Sequence, residues 1–165
     1  MIRKLDGGIF LYTAENGAKE AHRLEKAAAA FFSAASLPPQ KVLKAPSGKP
    51  YFSEEDLFLS PSHSGELYAV AFAPFPIGLD VEKEETEKKR VAEKYFSEEE
   101  KRFPFSLVWT AKEAVTKLTG EGLSAVRRVA VFSEEEAELD GKKYSLTTFT
   151  DKGYRFTLAR RKKKV

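Results

Sequence analysis

The stretch Ile77-Gly78-Leu79-Asp80-Val81-Glu82, preceded by Pro74 and Pro76, alternates with a period of two. In an extended strand Ile77, Leu79 and Val81 then point to one face and Asp80 and Glu82 to the other. The prolines before it mark a seam near residues 73–77, and each side of that seam repeats one pattern. On the N-terminal side, residues 9–12 read as a strand. Residues 17–35 read as a helix, because Ala21, Leu24, Ala28, Phe31 and Phe32 recur at helical spacing before Pro38-Pro39. Short strands come next near 42–43, 51–52 and 57–59, and an alternating strand over 68–72. On the C-terminal side, Ser97 and Glu100 form a capping box with Phe96 as staple, so a short helix is expected to start there and stop before Pro104. A longer helix is expected over 106–119, with Leu107, Ala111, Ala114, Val115 and Leu118 as its apolar stripe and Gly120 beyond its end. Strands at 126–132, 144–150 and 154–159 close the chain, with Asp140-Gly141 and Asp151-Lys152-Gly153 as turns. The expected architecture is α+β in two similar lobes, 1–74 and 75–165, each a small antiparallel sheet packed on a helix.

At 165 residues and 42% apolar content the chain is long enough to bury a sizeable core. The formal net charge is only +3, although the five bases at residues 160–164 are all cationic, so the rest of the chain is slightly acidic. The basic character is a tail effect: a solvated end is the plain reading, and a nucleic-acid contact is disfavoured because no aromatics are interleaved. The absence of cysteine removes disulfides, thiolate metal sites and cysteine nucleophiles. No apolar run approaches membrane-spanning length and the start lacks a sustained apolar segment, so a soluble, cytoplasmic protein without membrane contact is expected. Phe-Ser-Glu-Glu occurs at Phe52, Phe96 and Phe132, but the unequal intervals argue against a stacked repeat.

Two carboxylates on one side of a mostly apolar strand need a cation, or else form a solvent-facing acidic edge beside Glu84, Glu85 and Glu87. Glu113 and Lys117 lie one helical turn apart on one face, which is either an exposed ion pair or a third carboxylate and a point charge for the same site. Three carboxylates make the oxygen-only set that magnesium accepts, with water and substrate phosphate completing the shell. Ser62-His63-Ser64-Gly65 invites a hydrolase reading, but no Gly-x-Ser-x-Gly elbow is present, so a phosphate-binding segment or a polar capping turn remain the alternatives.

Taken in order, Ala21-His22-Arg23, Gly48-Lys49-Pro50, Ser62-His63-Ser64-Gly65, Ile77-Gly78-Leu79-Asp80-Val81-Glu82, Trp109-Thr110-Ala111-Lys112-Glu113-Ala114 with Lys117, and Gly120-Glu121-Gly122-Leu123 resemble the motif series of the phosphopantetheinyl transferases of the surfactin-synthetase-activating type. The resemblance covers roughly residues 18–160. It implies a pseudo-twofold two-lobed fold and a holo-[acyl-carrier-protein] synthase activity, in which the 4′-phosphopantetheine arm of coenzyme A moves to a serine of an apo acyl or peptidyl carrier protein. It also implies Asp80, Glu82 and Glu113 as Mg2+ ligands that hold the coenzyme diphosphate, and Glu113 and Lys117 as the catalytic pair. Arg23, Lys49, Ser62, His63, Lys112 and Lys117 are the implied coenzyme-binding positions, and Glu100 matches an acidic position near the metal more loosely. A two-lobed chain can supply both walls of a cleft, so a monomer is expected. A catalytically silent homologue that binds coenzyme A or a carrier protein is the alternative. The chain departs from the family pattern in a short lead before Ala21, in Pro61 ahead of Ser62, and in an abbreviated segment over 101–106, which bear on coenzyme affinity and carrier choice.

Overall fold

The structure is a computed structural model that describes residues 1–17 and 19–163; the side chains of Glu20 and Ala21, the latter in the first motif, and Lys164 of the basic run lie outside the described residues. The chain is α+β and divides into two units, Met1–Ile77 and Gly78–Val165, a division three residues after the expected one.

The first unit holds β1 (Ile2–Lys4), β2 (Phe10–Glu15), α1 (Glu20–Ala35), β3 (Val42–Lys44), β4 (Pro50–Phe52), β5 (Phe58–Ser64) and β6 (Leu67–Ala73). Its main sheet runs β1-β2-β6-β5, with β3 and β4 paired separately, and every pairing is antiparallel. The helix is alanine-rich and ends where Ser36 turns left-handed (φ 55°), its N–H reaching back to Phe32 and Ser33. Leu24, Ala27, Ala28, Phe31 and Phe32 form its buried stripe against Tyr12, Leu59, Tyr68, Val70 and Phe72. Phe31 stacks on Phe72 with ring centroids 4.4 Å apart; such a pair adds about 0.5–1.5 kcal/mol beyond area burial.

The second unit holds β7 (Gly78–Lys83), α2 (Lys89–Tyr95), α3 (Phe105–Thr119), β8 (Ala130–Val131), β9 (Glu136–Leu139), β10 (Lys142–Asp151) and β11 (Tyr154–Arg161). Its antiparallel sheet runs β7-β11-β10-β9-β8. Two-residue turns join β9 to β10 and β10 to β11, with Asp140, Gly141, Lys152 and Gly153 all at positive φ. That double positive φ is the hairpin geometry matching the strand twist. Helix α3 begins after Pro104, ends at Gly120 (φ 77°), and buries Val108, Ala111, Ala114 and Val115 against the sheet.

Gly78 lets α3 approach β7. A Cβ built on it would lie 1.9 Å from the carbonyl oxygen of Ala114. Backbone cannot yield as a side-chain tip does, so Gly78→Ala is expected to destabilise by at least about 3 kcal/mol, the upper end for overpacking. A urea unfolding midpoint equal to the wild type would contradict this contact.

Several elements differ from the sequence expectations. Val126 was expected in a strand over 126–132, yet residues Leu123–Arg128 form 3-10 turns and only Ala130–Val131 pair as a strand. The carbonyls of Val126 and Val129 are taken by the ammonium of Lys112 instead of a ladder. The capping box at Ser97 is present, but it opens only a single 3-10 turn, Glu100–Arg102, and the helix in this region is α2, just before it. No α2 residue is fully buried, so it has no strong apolar stripe to read. Strand β5 extends through Ser62 and His63, beyond the strand expected near 57–59, so a polar capping turn, one of the two readings left open for this segment, does not form at these two residues. Pro61 fits there because β5 is a sheet edge, where proline's missing N–H need not serve a second neighbour. The three Phe-Ser-Glu-Glu copies fall at the end of β4, after α2 and after β8, three unlike places. Among the described residues no helix is long and apolar enough to cross a membrane.

Candidate functional site

Asp80 and Glu82 share the face of β7 that α3 covers, since their cross-strand partners Thr157 and Arg155 both hydrogen-bond to α3. Asp80 is buried at 7% exposure. The Nζ of Lys117, from the last turn of α3, lies 2.8 Å from Asp80 Oδ1. Glu113 stands one turn earlier on the same helix. Burial holds its carboxyl above the ordinary carboxylate range; the charge of Asp80 adds to the rise, Lys117 opposes it, and Glu82 adds to it again. Like charges raise a carboxyl in this way only when they are close, so the three acids and Lys117 share one electrostatic site within the second unit.

Glu113 therefore binds a proton more tightly in the folded chain than in the unfolded one. Its stabilising contribution is full at low pH and is lost as pH rises from the ordinary carboxylate range through the raised value. Carboxyl carbon NMR of Glu113 is expected to show a midpoint above that range, and Asp80→Asn is expected to lower it. A midpoint at or below the ordinary value in the wild type would contradict the shared site.

The donor set suits a hard divalent cation: it is all oxygen and carries like charges that a cation would relieve. Among the described residues, however, no three acidic or histidine side chains are grouped as a metal site. Asp80 is engaged by Lys117, and Glu82 turns Oε1 to its neighbour's backbone N–H at 3.0 Å, with Thr86 Oγ1 at 3.5 Å. One carboxylate oxygen of Asp80 and one of Glu82 are thus engaged by neighbouring donors of the second unit.

Lys112, expected among the coenzyme-binding residues, is placed elsewhere. It is fully buried, 3.1 Å from Glu100, and its ammonium donates to the carbonyls of Val126 and Val129. Burial lowers its pKa while Glu100 opposes the fall. With no exposure it cannot meet a phosphate, and it ties α3 to the loop before β8. Glu100, loosely expected near a metal, is its partner: Oε1 accepts from Ser97 N–H and Oε2 from Val131 N–H, both at 2.8 Å. The capping box made Glu100 legible; its second role was not.

The other expected positions lie in the first unit. Arg23, on α1, sets its guanidinium 4.4 Å from the ring centroid of Tyr68, and His63 on β5 is the cross-strand partner of Tyr68. Arg23 and His63 are thus both neighbours of one tyrosine, His63 exposed and Arg23 half-buried. Ser62 points to the opposite sheet face and is buried. Lys49 comes after Gly48 in the turn between β3 and β4, where burial lowers its pKa. A hollow of about 560 Å³ in this unit, lined by Phe10, Phe31, Leu37 and Leu57 among others, contains none of these residues. Sequence reasoning missed Arg155 and Thr157, whose relation to the acids exists only once β7 and β11 pair.

Comparison with known proteins bears on this arrangement. The 4′-phosphopantetheinyl transferase superfamily matches residues 76–162, which include Asp80, Glu82, Glu113 and Lys117. The chain is similar to the 4′-phosphopantetheinyl transferase Sfp of Bacillus subtilis (strain 168), 33% identical over an alignment of 89 residues that covers 47% of this chain and 40% of that protein. It is similarly related to the 4′-phosphopantetheinyl transferase psf-1 of Bacillus pumilus, 33% identical over 89 residues, 47% of this chain and 38% of that one. The match spans about two fifths of each relative's length. More than half of the chain matching one family, with the acidic face and α3 inside the match, shows that the chain belongs to the 4′-phosphopantetheinyl transferase superfamily.

Proposed function

We propose that this protein transfers the 4′-phosphopantetheine group of coenzyme A to a serine hydroxyl of an apo acyl or peptidyl carrier protein, releasing 3′,5′-ADP, as a magnesium-dependent enzyme of the holo-[acyl-carrier-protein] synthase type. The observation that carries it is the placement of Asp80 and Glu82 on the face of β7 that α3 covers, with Lys117 of α3 2.8 Å from Asp80, inside the segment the family matches. Asp80, Glu82 and Glu113 would hold Mg2+, which when bound supplies positive charge to the coenzyme diphosphate as its P–O bond breaks. Glu113 takes the proton from the attacking serine as the carboxylate that α3 brings to the site. Lys117, once it leaves or shares Asp80, neutralises charge on the phosphoryl oxygens and on the departing 3′,5′-ADP. The new serine O–P bond forms as the bond to the ADP oxygen breaks, so no covalent enzyme intermediate is needed. Arg23, Lys49, Ser62 and His63 are the coenzyme-binding positions of this reading, with Arg23 and His63 meeting phosphate oxygens as neighbours of Tyr68. The reading keeps the protein cytoplasmic and monomeric, with coenzyme A and a carrier protein as its partners.

One observation favours a silent homologue that binds without turnover: the acids are not grouped as a metal site while Lys117 holds Asp80. Intact-mass spectrometry of a panel of apo carrier proteins, incubated with the protein, coenzyme A and Mg2+, separates the two. The transferase reading predicts a mass gain of one phosphopantetheine that a chelator abolishes. Coenzyme A binding in calorimetry with no mass gain on any carrier would establish the silent homologue instead.

A further inference from the structure

Asp80 and Glu82 occupy rungs of the β7–β11 ladder whose β11 members are Thr157 and Arg155. Those two β11 residues also hydrogen-bond to α3. The hydroxyls of Thr157 and Thr110 share a 2.7 Å hydrogen bond, and Arg155 Nε donates to Ser106 Oγ at 3.0 Å. Thr148 on β10 joins them, accepting from Thr157 Oγ1 at 3.1 Å and from Arg155 Nη1 at 3.2 Å. Ser106, Thr110 and Thr157 are each 0% exposed, so none of these hydroxyls has water as a substitute partner. Glu113 lies three residues after Thr110, close to one helical turn along α3.

An apolar helix–sheet interface of alanine and valine tolerates small sliding, whereas directional hydrogen bonds weaken steeply with misalignment. Paired polar groups at a buried interface favour one arrangement, and the buried hydroxyls of Ser106, Thr110 and Thr157 do so at the height where the acids sit. We propose that Ser106, Thr110, Thr148, Arg155 and Thr157 are positioning residues that set the register of α3 on the sheet and so hold Glu113 level with Asp80 and Glu82. This rests on the transferase reading for its purpose, but not for its geometry.

The test is the paired variant Thr110→Val with Thr157→Val, which keeps side-chain shape and removes both members of the 2.7 Å hydroxyl pair; Thr148 loses one of its two partners but is half-buried, so water can replace it and the change in stability is small. The wild type and variant are compared by Mn2+ binding in the presence of coenzyme A, read from the free-ion electron paramagnetic resonance signal, by kcat and KM for coenzyme A, and by the Glu113 carboxyl titration. The expected result is a near-wild-type urea midpoint, Mn2+ binding weakened about tenfold as for other outer-shell partners of a metal site, and a fall in kcat larger than the rise in KM. The Glu113 titration should move toward the ordinary range, and Thr110→Ser with Thr157→Ser should restore all of these. Unchanged Glu113 titration and Mn2+ affinity within about twofold, against the tenfold expected of an outer-shell partner, would overturn the inference. Should the valine pair not fold, Arg155→Lys keeps the charge but cannot bridge Ser106 and Thr148, and carries the same expectations and the same refutation. If the wild type neither binds Mn2+ nor modifies a carrier, the functional reading fails, while crystal structures of wild type and variant, compared at Glu113 against Asp80, still decide the question of register.

Discussion

Replacing Asp80 by alanine is expected to lower kcat/KM for carrier modification by about a thousandfold or more, roughly 4 kcal/mol of transition-state stabilisation, while the fold survives. The carboxylate is central to the acidic face: it raises Glu113, receives Lys117 at 2.8 Å, and sits opposite Thr157 in the ladder. The fold tolerates its loss because Lys117 is 32% exposed and can turn to water. Two further effects distinguish this from general damage. The Glu113 titration should fall, since a like charge has gone, and coenzyme binding without metal should change less than turnover. Activity within about tenfold of the wild type in a folded Asp80→Ala protein, under roughly 1.4 kcal/mol of lost stabilisation, would remove the metal assignment.

The largest stability effect is expected at Glu100. Its side chain is 5% exposed and that of Lys112 1%, and Glu100 serves three donors at once: Ser97 N–H, Val131 N–H and the lysine ammonium. Glu100→Ala strands a buried ammonium and two backbone donors, and should cost about 3–5 kcal/mol, as when one partner of a buried pair is removed. Lys112→Met should cost less, about 1–3 kcal/mol, because Glu100 keeps both N–H donors and the carbonyls of Val126 and Val129 lose only one donor. Urea midpoints at constant m-value measure both. An order reversed, with the lysine change the more damaging, would show that the loop before β8 rather than the carboxylate is the weak point.

How far the chain can be read without its structure depends on which interactions are local. The strand at Asp80 and Glu82, the helix bearing Glu113 and Lys117, and the capping box at Ser97 were legible because each is set by neighbours within a few residues. The turns at Asp140-Gly141 and Lys152-Gly153 announced themselves through residues that accept positive φ. Helix α2 was illegible because no residue of it is buried, and β1 because only Ile2 leans inward. The segment near Val126 was misread because its β-branched residues suggest a strand, whereas Lys112, far off in sequence, takes its carbonyls. The same limit applied to the site. Alternation and helical spacing singled out the acids, and only the resemblance to the transferase motif series joined them into one expected set, but Arg155 and Thr157 gain meaning only through register, and Lys112 looked like a ligand-binding lysine until its burial was seen.

In the proposed reaction Asp80, Glu82 and Glu113 act together on one divalent ion in the presence of coenzyme A. Titrating Mn2+ into the protein with coenzyme A, with the free-ion resonance signal as readout, tests it most directly. One ion bound per chain is predicted, lost in each of Asp80→Ala, Glu82→Ala and Glu113→Ala; an ion still bound with all three carboxylates replaced would contradict it.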